Sequence, residues 1–165
     1  MTGRQRRLLS YGLSAALLVA LAFALVFTLV GSGGSQAAAS TQESAARGEV
    51  KRVASAFAAN VNTYSSENVD SYAKRVRPLL TDKFESSFSN AIKSILEQMR
   101  NFQIESKGEV LVTAVSSIDR DSATVLVVAD ADVQTSSGDR ARHFRWQVDL
   151  LRQGGTWLVN DFEPL

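Results

Sequence analysis

Cysteine is missing from this 165-residue chain, proline occurs twice and histidine once. The first absence excludes disulfides, thiolate metal sites and a lipobox, so an exported domain of this sequence must hold itself together by its core. One histidine, His143, without cysteines or neighbouring imidazoles makes no recognisable metal site. Glycine-rich phosphate loops, nucleophile elbows and zinc motifs are absent as well, and no cofactor is expected. A basic excess is lacking too. The formal net charge is +1, but without Arg4, Arg6 and Arg7 the part after Val30 has 15 basic and 17 acidic residues, net −2. A nucleic-acid binder needs a basic face, so that class of partner is not expected.

Charge is lacking altogether from Leu8 to Val30, "LLSYGLSAALLVALAFALVFTLV", a run of 23 residues. As a helix rising about 1.5 Å per residue it is roughly 35 Å long, enough to cross a bilayer core of about 30 Å. Arg4, Arg6 and Arg7 precede it, and no Lys or Arg follows until Arg47. The positive-inside rule then puts the N-terminus in the cytoplasm and the rest outside the plasma membrane. Small residues in "SQAAAS", Ser35 to Ser40, offer a cleavage site. Secretory apolar cores run only about 7 to 15 residues, however, which favours an uncleaved single-pass anchor. The expected division is a cytoplasmic head 1–7, a transmembrane signal anchor 8–30, a flexible Gly/Ser/Ala linker 31–42 and an extracytoplasmic domain 43–165.

The first half of that domain has a helical period. Val50, Val53, Ala54, Phe57, Val61 and Tyr64 share one face of a first helix, with Glu49, Lys51 and Arg52 opposite. Val69, Tyr72 and Val76 mark a shorter second helix that Pro78 ends. Thr81 caps a third, with Asp82 and Glu85 in its first turn and Phe84, Phe88, Ile92, Ile95 and Met99 along its apolar stripe. The second half alternates with period two. Strands are expected near 109–118, 123–135, 142–152 and 156–162, separated by "DRDS", "SSGD" and "QGGT". The fold class is therefore α+β, three helices on a curved four-stranded antiparallel sheet.

Two-residue turns would set the register. Arg152 then faces Trp157, Leu150 faces Val159 and Val148 faces Asp161. Phe144 faces Val133, Trp146 faces Ala131, Ala114 faces Val127 and Val112 faces Ala129. One face collects Val110, Val112, Ala114, Val125, Val127, Val133, Phe144, Trp146, Val148, Leu150, Trp157 and Val159, with Ser116, Arg152 and Asp161 as its polar members. The other pairs Asp132 with Arg145 and Asp130 with Gln147, carries His143, and is interrupted by Leu126, Val128, Leu151 and Phe162.

A carboxylate on an apolar face needs a hydrogen-bonding partner or a raised pKa. Asp161 therefore has two readings: a general base reached by Tyr64 or Tyr72, as in the apolar site of ketosteroid isomerase, or a structural aspartate at the sheet's end. General acid–base chemistry requires a second group within reach, and His143 falls on the opposite face. The structural reading is favoured and no enzyme is expected. Asp161, Tyr64, Tyr72, Ser116 and Trp146 outline a hydrophobic cavity with room for a lipid tail, and Leu151 and Phe162 outline a surface for protein contacts.

An arginine-rich head, one anchor helix, a short linker, three helices and a meander together resemble the Mce-associated membrane proteins of actinobacteria. The local matches are "VNTY" at Val61 to Tyr64, "LLTDKF" at Leu79 to Phe84 and the closing "WLVNDF" at Trp157 to Phe162. That resemblance implies a cone-shaped fold of the nuclear transport factor 2 type. It also implies a noncatalytic accessory role beside Mce transporter subunits, which move lipids or sterols across the envelope; it supplies no catalytic residues. Inner-membrane scaffolds of type IV secretion systems share the anchor and a similar fold and form the alternative. Polyketide cyclases and isomerases of the wider fold form a further one, an anchored enzyme.

Overall fold

An unbroken apolar stripe opens the fold. The computed structural model describes residues 40–165, and its first helix, α1, covers 40–62. The expected head, anchor and linker residues up to 39 lie outside the described residues; the last three residues of the expected linker, 40–42, are already helical. Among the described residues no helix is long and apolar enough to cross a membrane. Residues 46–165 form one compact unit. In it α1 buries Val50, Val53, Ala54, Phe57 and Ala58, the i, i+3, i+4, i+7, i+8 pattern of a helix with one face in a core.

A two-residue strand, β1 (Tyr64–Ser65), and a 3-10 turn (Ser66–Asn68) lead into α2 (Val69–Val76), which buries Val69, Tyr72 and Val76. Pro78 then sits in a second 3-10 turn, Arg77–Leu79, because its ring and missing N–H cannot continue a helix. Helix α3 (Asp82–Phe102) starts where expected: the Thr81 hydroxyl accepts the Phe84 N–H at 3.3 Å, and Asp82 and Glu85 occupy the first turn. Along α3, Phe88, Ile92 and Met99 are buried, but Ile95 on the same stripe is 46% exposed.

Strands β2 (Glu105–Ile118), β3 (Ser122–Thr135), β4 (Gly138–Gln153) and β5 (Thr156–Pro164) follow, in the antiparallel order β1-β2-β3-β4-β5. The sheet has five strands where four were expected, because β1, only two residues long, leaves no period-two signature. It pairs Tyr64 with Ser106 and Ser65 with Glu105. Its place is fixed by the end of α1. Ser106 Oγ donates to the Asn62 carbonyl at 2.7 Å, and the Gly108 N–H donates to Thr63 Oγ1 at 3.1 Å. A Cβ on Gly108 would land on the Asn62 side chain, so only glycine permits this approach.

The helices and one face of the sheet share a core that includes Phe57, Val76, Leu80, Val125, Val127, Val148, Leu150, Trp157 and Val159. Burial of such side chains contributes about 1.5–3 kcal/mol each. The β4–β5 hairpin turns on Gly154 and Gly155 at φ 57° and 85°, the pair of positive values that a type I′ turn requires. Arg152 opposite Trp157 and Leu150 opposite Val159 follow as expected. Then the pairing slips at Asn160, so Asp161 faces Asp149 and Phe162 faces Val148. One extra residue reverses every side chain beyond it. Asp161 is thereby exposed on the outer face, and Phe162 turns inward.

Bulges also correct the β2–β3 register. Pairing begins in the expected register with Ile118–Ala123 and Ser117–Thr124, slips at Ser116 and slips again at Leu111. Val112 and Ala114, expected on the apolar face, therefore point outward, and Val112 is 58% exposed. The second slip returns Val110 to the core side, opposite Ala129. The β3–β4 hairpin differs in another way. Thr135 Oγ1 accepts the Ser137 N–H at 3.2 Å and donates to the Gly138 carbonyl at 2.9 Å, which centres the turn on Ser136–Ser137. Phe144 faces Ala129, Trp146 faces Val127 and Val148 faces Val125. The slide is even, so the faces are kept while the partners change. Asp132 opposes Ala141 and Arg145 opposes Val128, and neither expected outer pair forms. His143 Nδ1 instead meets Asp130 Oδ1 at 2.8 Å.

Candidate functional site: an apolar groove along α3

A side chain such as Ile95 stays exposed on an apolar stripe only where the helix has no neighbour to cover it. Here α3 stands beside a groove of about 360 Å³. Its own wall includes Phe84, Phe88, Ile92, Ile95, Leu96 and Met99; the opposite wall is Val61 of α1, Tyr64 of β1, Tyr72 of α2 and Phe162 of β5. Ser87 and Ala91 complete the lining, which contains no carboxylate, imidazole or cationic group. Rings hold this shape. Phe162 lies 5.2 Å from Phe57 and 5.1 Å from Trp146 between centroids, and Phe84 lies 5.9 Å from Phe88. Edge contacts of this kind contribute about 0.5–1.5 kcal/mol beyond area burial. Outside the lining, on the exposed surface, Arg100 pairs with Asp70 at 3.2 Å and ties the last turn of α3 to the first of α2.

Two phenols enter the groove. Tyr64 and Tyr72 meet edge to face with centroids 6.3 Å apart. Tyr72 is 4% exposed, and burial, reinforced by the Tyr64 phenol and opposed by Arg75, pushes its pKa well above the ordinary tyrosine value. It is a neutral hydroxyl at physiological pH. Neither phenol is bonded to another described residue, and neither hydroxyl is among the fully buried unpaired polar atoms, so both stay accessible on residues that line the groove.

Of the residues singled out from sequence, Tyr64, Tyr72 and, unexpectedly, Phe162 line this groove, while Trp146 backs Phe162 from the core. Asp161 and Ser116 are elsewhere, each turned out by a bulge, and Asp161 Oδ1 accepts the Phe162 N–H at 2.8 Å. Sequence reasoning placed Phe84, Phe88, Ile92, Ile95 and Met99 on one apolar stripe. Their uniform apolar spacing carries no mark of which ones lack a partner. Leu151 lies half-buried on the outer face opposite Leu158. That face also presents Val112 beside Val128 and Ala114 beside Leu126, which is 36% exposed. A polar cleft of about 530 Å³ adjoins β1, where Arg75 donates to Thr63 O and Ser71 Oγ, both at 2.8 Å.

No family model matches the chain. It is 28% identical over 124 residues to an uncharacterised protein of Mycobacterium tuberculosis, a match covering 70% of this chain and 48% of that one. The chain thus spans about half the length of this relative. Among solved structures it is similar to an IcmL-like type IV secretion system protein from Legionella pneumophila, at TM-score 0.63 and 9% identity over 72% of this chain and 91% of that one. The periplasmic domain of DotI gives TM-score 0.62 and 12% identity over 70% and 92%. CagV of Helicobacter pylori, a VirB8 homologue, gives 0.56 and 9% over 71% and 96%. At such identities the likeness is one of fold: a curled antiparallel sheet with helices, as in VirB8-type and nuclear transport factor 2-type domains.

Proposed function

We propose that this domain is a noncatalytic protein-contact module on the extracytoplasmic side of a membrane, a scaffold component of a multiprotein envelope machine of the type IV secretion kind. The observation that carries the reading is the fold match to three secretion-type domains, each covered over nine-tenths of its length. The uncharged Leu8–Val30 run supports membrane attachment. The outer sheet face, with Val112, Leu126, Val128 and Leu151, is the contact surface assigned to partners.

A second reading, the accessory of an Mce-type lipid transporter, draws on the mycobacterial relative and on the closing "WLVNDF". Affinity capture of the full chain from detergent-solubilised native membranes, followed by mass spectrometry, separates the two. Secretion-machinery subunits lost on Leu126→Lys would establish the first reading, and lipid-transport subunits would establish the second. Reproducible capture of neither, from a correctly folded protein, would remove both.

A further inference from the structure

We propose that the groove along α3 is a binding site for one acyl chain of a lipid, whose ester or carboxyl oxygen accepts a hydrogen bond from Tyr72. The volume, about 360 Å³, falls within the range of about 300–1,000 Å³ typical of small-ligand sites, which are mostly apolar with a few placed polar groups. The lining fits that description: eleven of its twelve residues, the two phenols included, are aliphatic, thioether or aromatic, and the other is Ser87. The polar group is placed by its ring contacts. Tyr72 is held by Phe88, stacked at 6.5 Å, and by Tyr64, and its accessible hydroxyl, bonded to no other described residue, is free to donate into the groove.

Volume discriminates between occupants. The groove, about 360 Å³ along α3 from Phe84 to Met99, holds less than one turn of a helix about 10 Å across and about 5.4 Å long, whereas a single chain of methylenes can lie in it. The Leu8–Val30 run, read as an anchor, keeps the domain at a bilayer surface where acyl chains are the abundant apolar solute. The site is independent of the assembly reading: failure to capture partners leaves it standing.

The test uses the full chain in vesicles containing a phosphatidylcholine with a photoactivatable diazirine on its acyl chain. After irradiation, the labelled residues are mapped by mass spectrometry. Labelling is expected within Phe84–Met99 and at Tyr72, in addition to the Leu8–Val30 run. Ala91→Trp and, as an independent variant, Ser87→Trp fill the groove and should abolish the α3 labels while leaving labels in Leu8–Val30 and the melting temperature in place. Tyr72→Phe should reduce α3 labelling about three- to tenfold, the worth of one hydrogen bond. Labels confined to Leu8–Val30, or α3 labels that survive both tryptophan variants, would overturn the proposal. So would α3 labelling unchanged in Tyr72→Phe.

Discussion

The Thr81 hydroxyl donates a hydrogen bond to the side-chain oxygen of Asn160 at 3.2 Å, joining the start of α3 to the bulge in β5. The same threonine accepts the Phe84 N–H, and its own N–H donates to the Val159 carbonyl at 2.9 Å. Helix cap and strand bulge are thus one hydrogen-bonded unit. Thr81→Ala should cost about 2 kcal/mol, the upper part of the range for a lost cap, and Asn160→Ala about 1 kcal/mol. The double variant should fall short of their sum by at least about 0.5 kcal/mol. Urea denaturation followed by tryptophan fluorescence checks this, and strictly additive losses would show the two side chains to be uncoupled.

The bulge also predicts a contrast between neighbours. Asp161→Asn alters an exposed side chain and should change stability by no more than about 0.5 kcal/mol. Phe162→Ala removes a ring packed on Phe57, Phe84 and Trp146 and should cost about 2–4 kcal/mol. The reverse ranking of the two variants in thermal denaturation would restore the unbulged register.

Trp157 is 2% exposed, and the Arg152 guanidinium lies 5.8 Å from its ring centroid. Trp157→Ala should cost roughly 3–5 kcal/mol. Arg152→Ala, by contrast, should cost about 0.5–1 kcal/mol, as an exposed cation–π contact does. A melting temperature unmoved by Trp157→Ala would refute the packing of β5.

Alkaline pH probes Tyr72. Its pKa is raised in the folded state by burial, so the unfolded chain loses this proton first. The stability it protects is fully present below about pH 10, the unfolded value, and is lost as pH rises above it toward the folded value. The decline should reach at most about 1.4 kcal/mol per pH unit for this one group, and Tyr72→Phe should remove that share. Denaturation midpoints between pH 9 and 11 that decline equally in the two proteins would assign the effect elsewhere.

Periodicity made the helices legible. The stripe from Val50 to Phe57, Pro78 at the end of α2 and the Thr81 cap were all visible in the sequence, as was the glycine pair that sets the last hairpin, although Tyr64, read as the end of that stripe, belongs to β1. The errors share a cause. Alternation assumes an unbroken count, and single extra residues at Leu111, Ser116 and Asn160 reset it without any distinctive residue type. Thr135 moved a turn through its side chain, a competitor to the glycine-centred reading of "SSGD". The groove was half visible. Tyr64 and Tyr72 were named, but their partners on α3 look like ordinary core until the opposite wall is known.

The slips at Leu111 and Ser116 bear on how copies of this chain coexist. Beyond Gly108, strand β2 pairs with no further strand on the β1 side among the described residues, and a long open strand invites other chains to zip onto it. Between its two irregularities, however, the regular stretch is only Val112–Val115. A newcomer would find no rhythm of donors and acceptors long enough to follow. The border of this strand is thus broken into short lengths by its own irregularities, without a proline or a row of lysines to guard it.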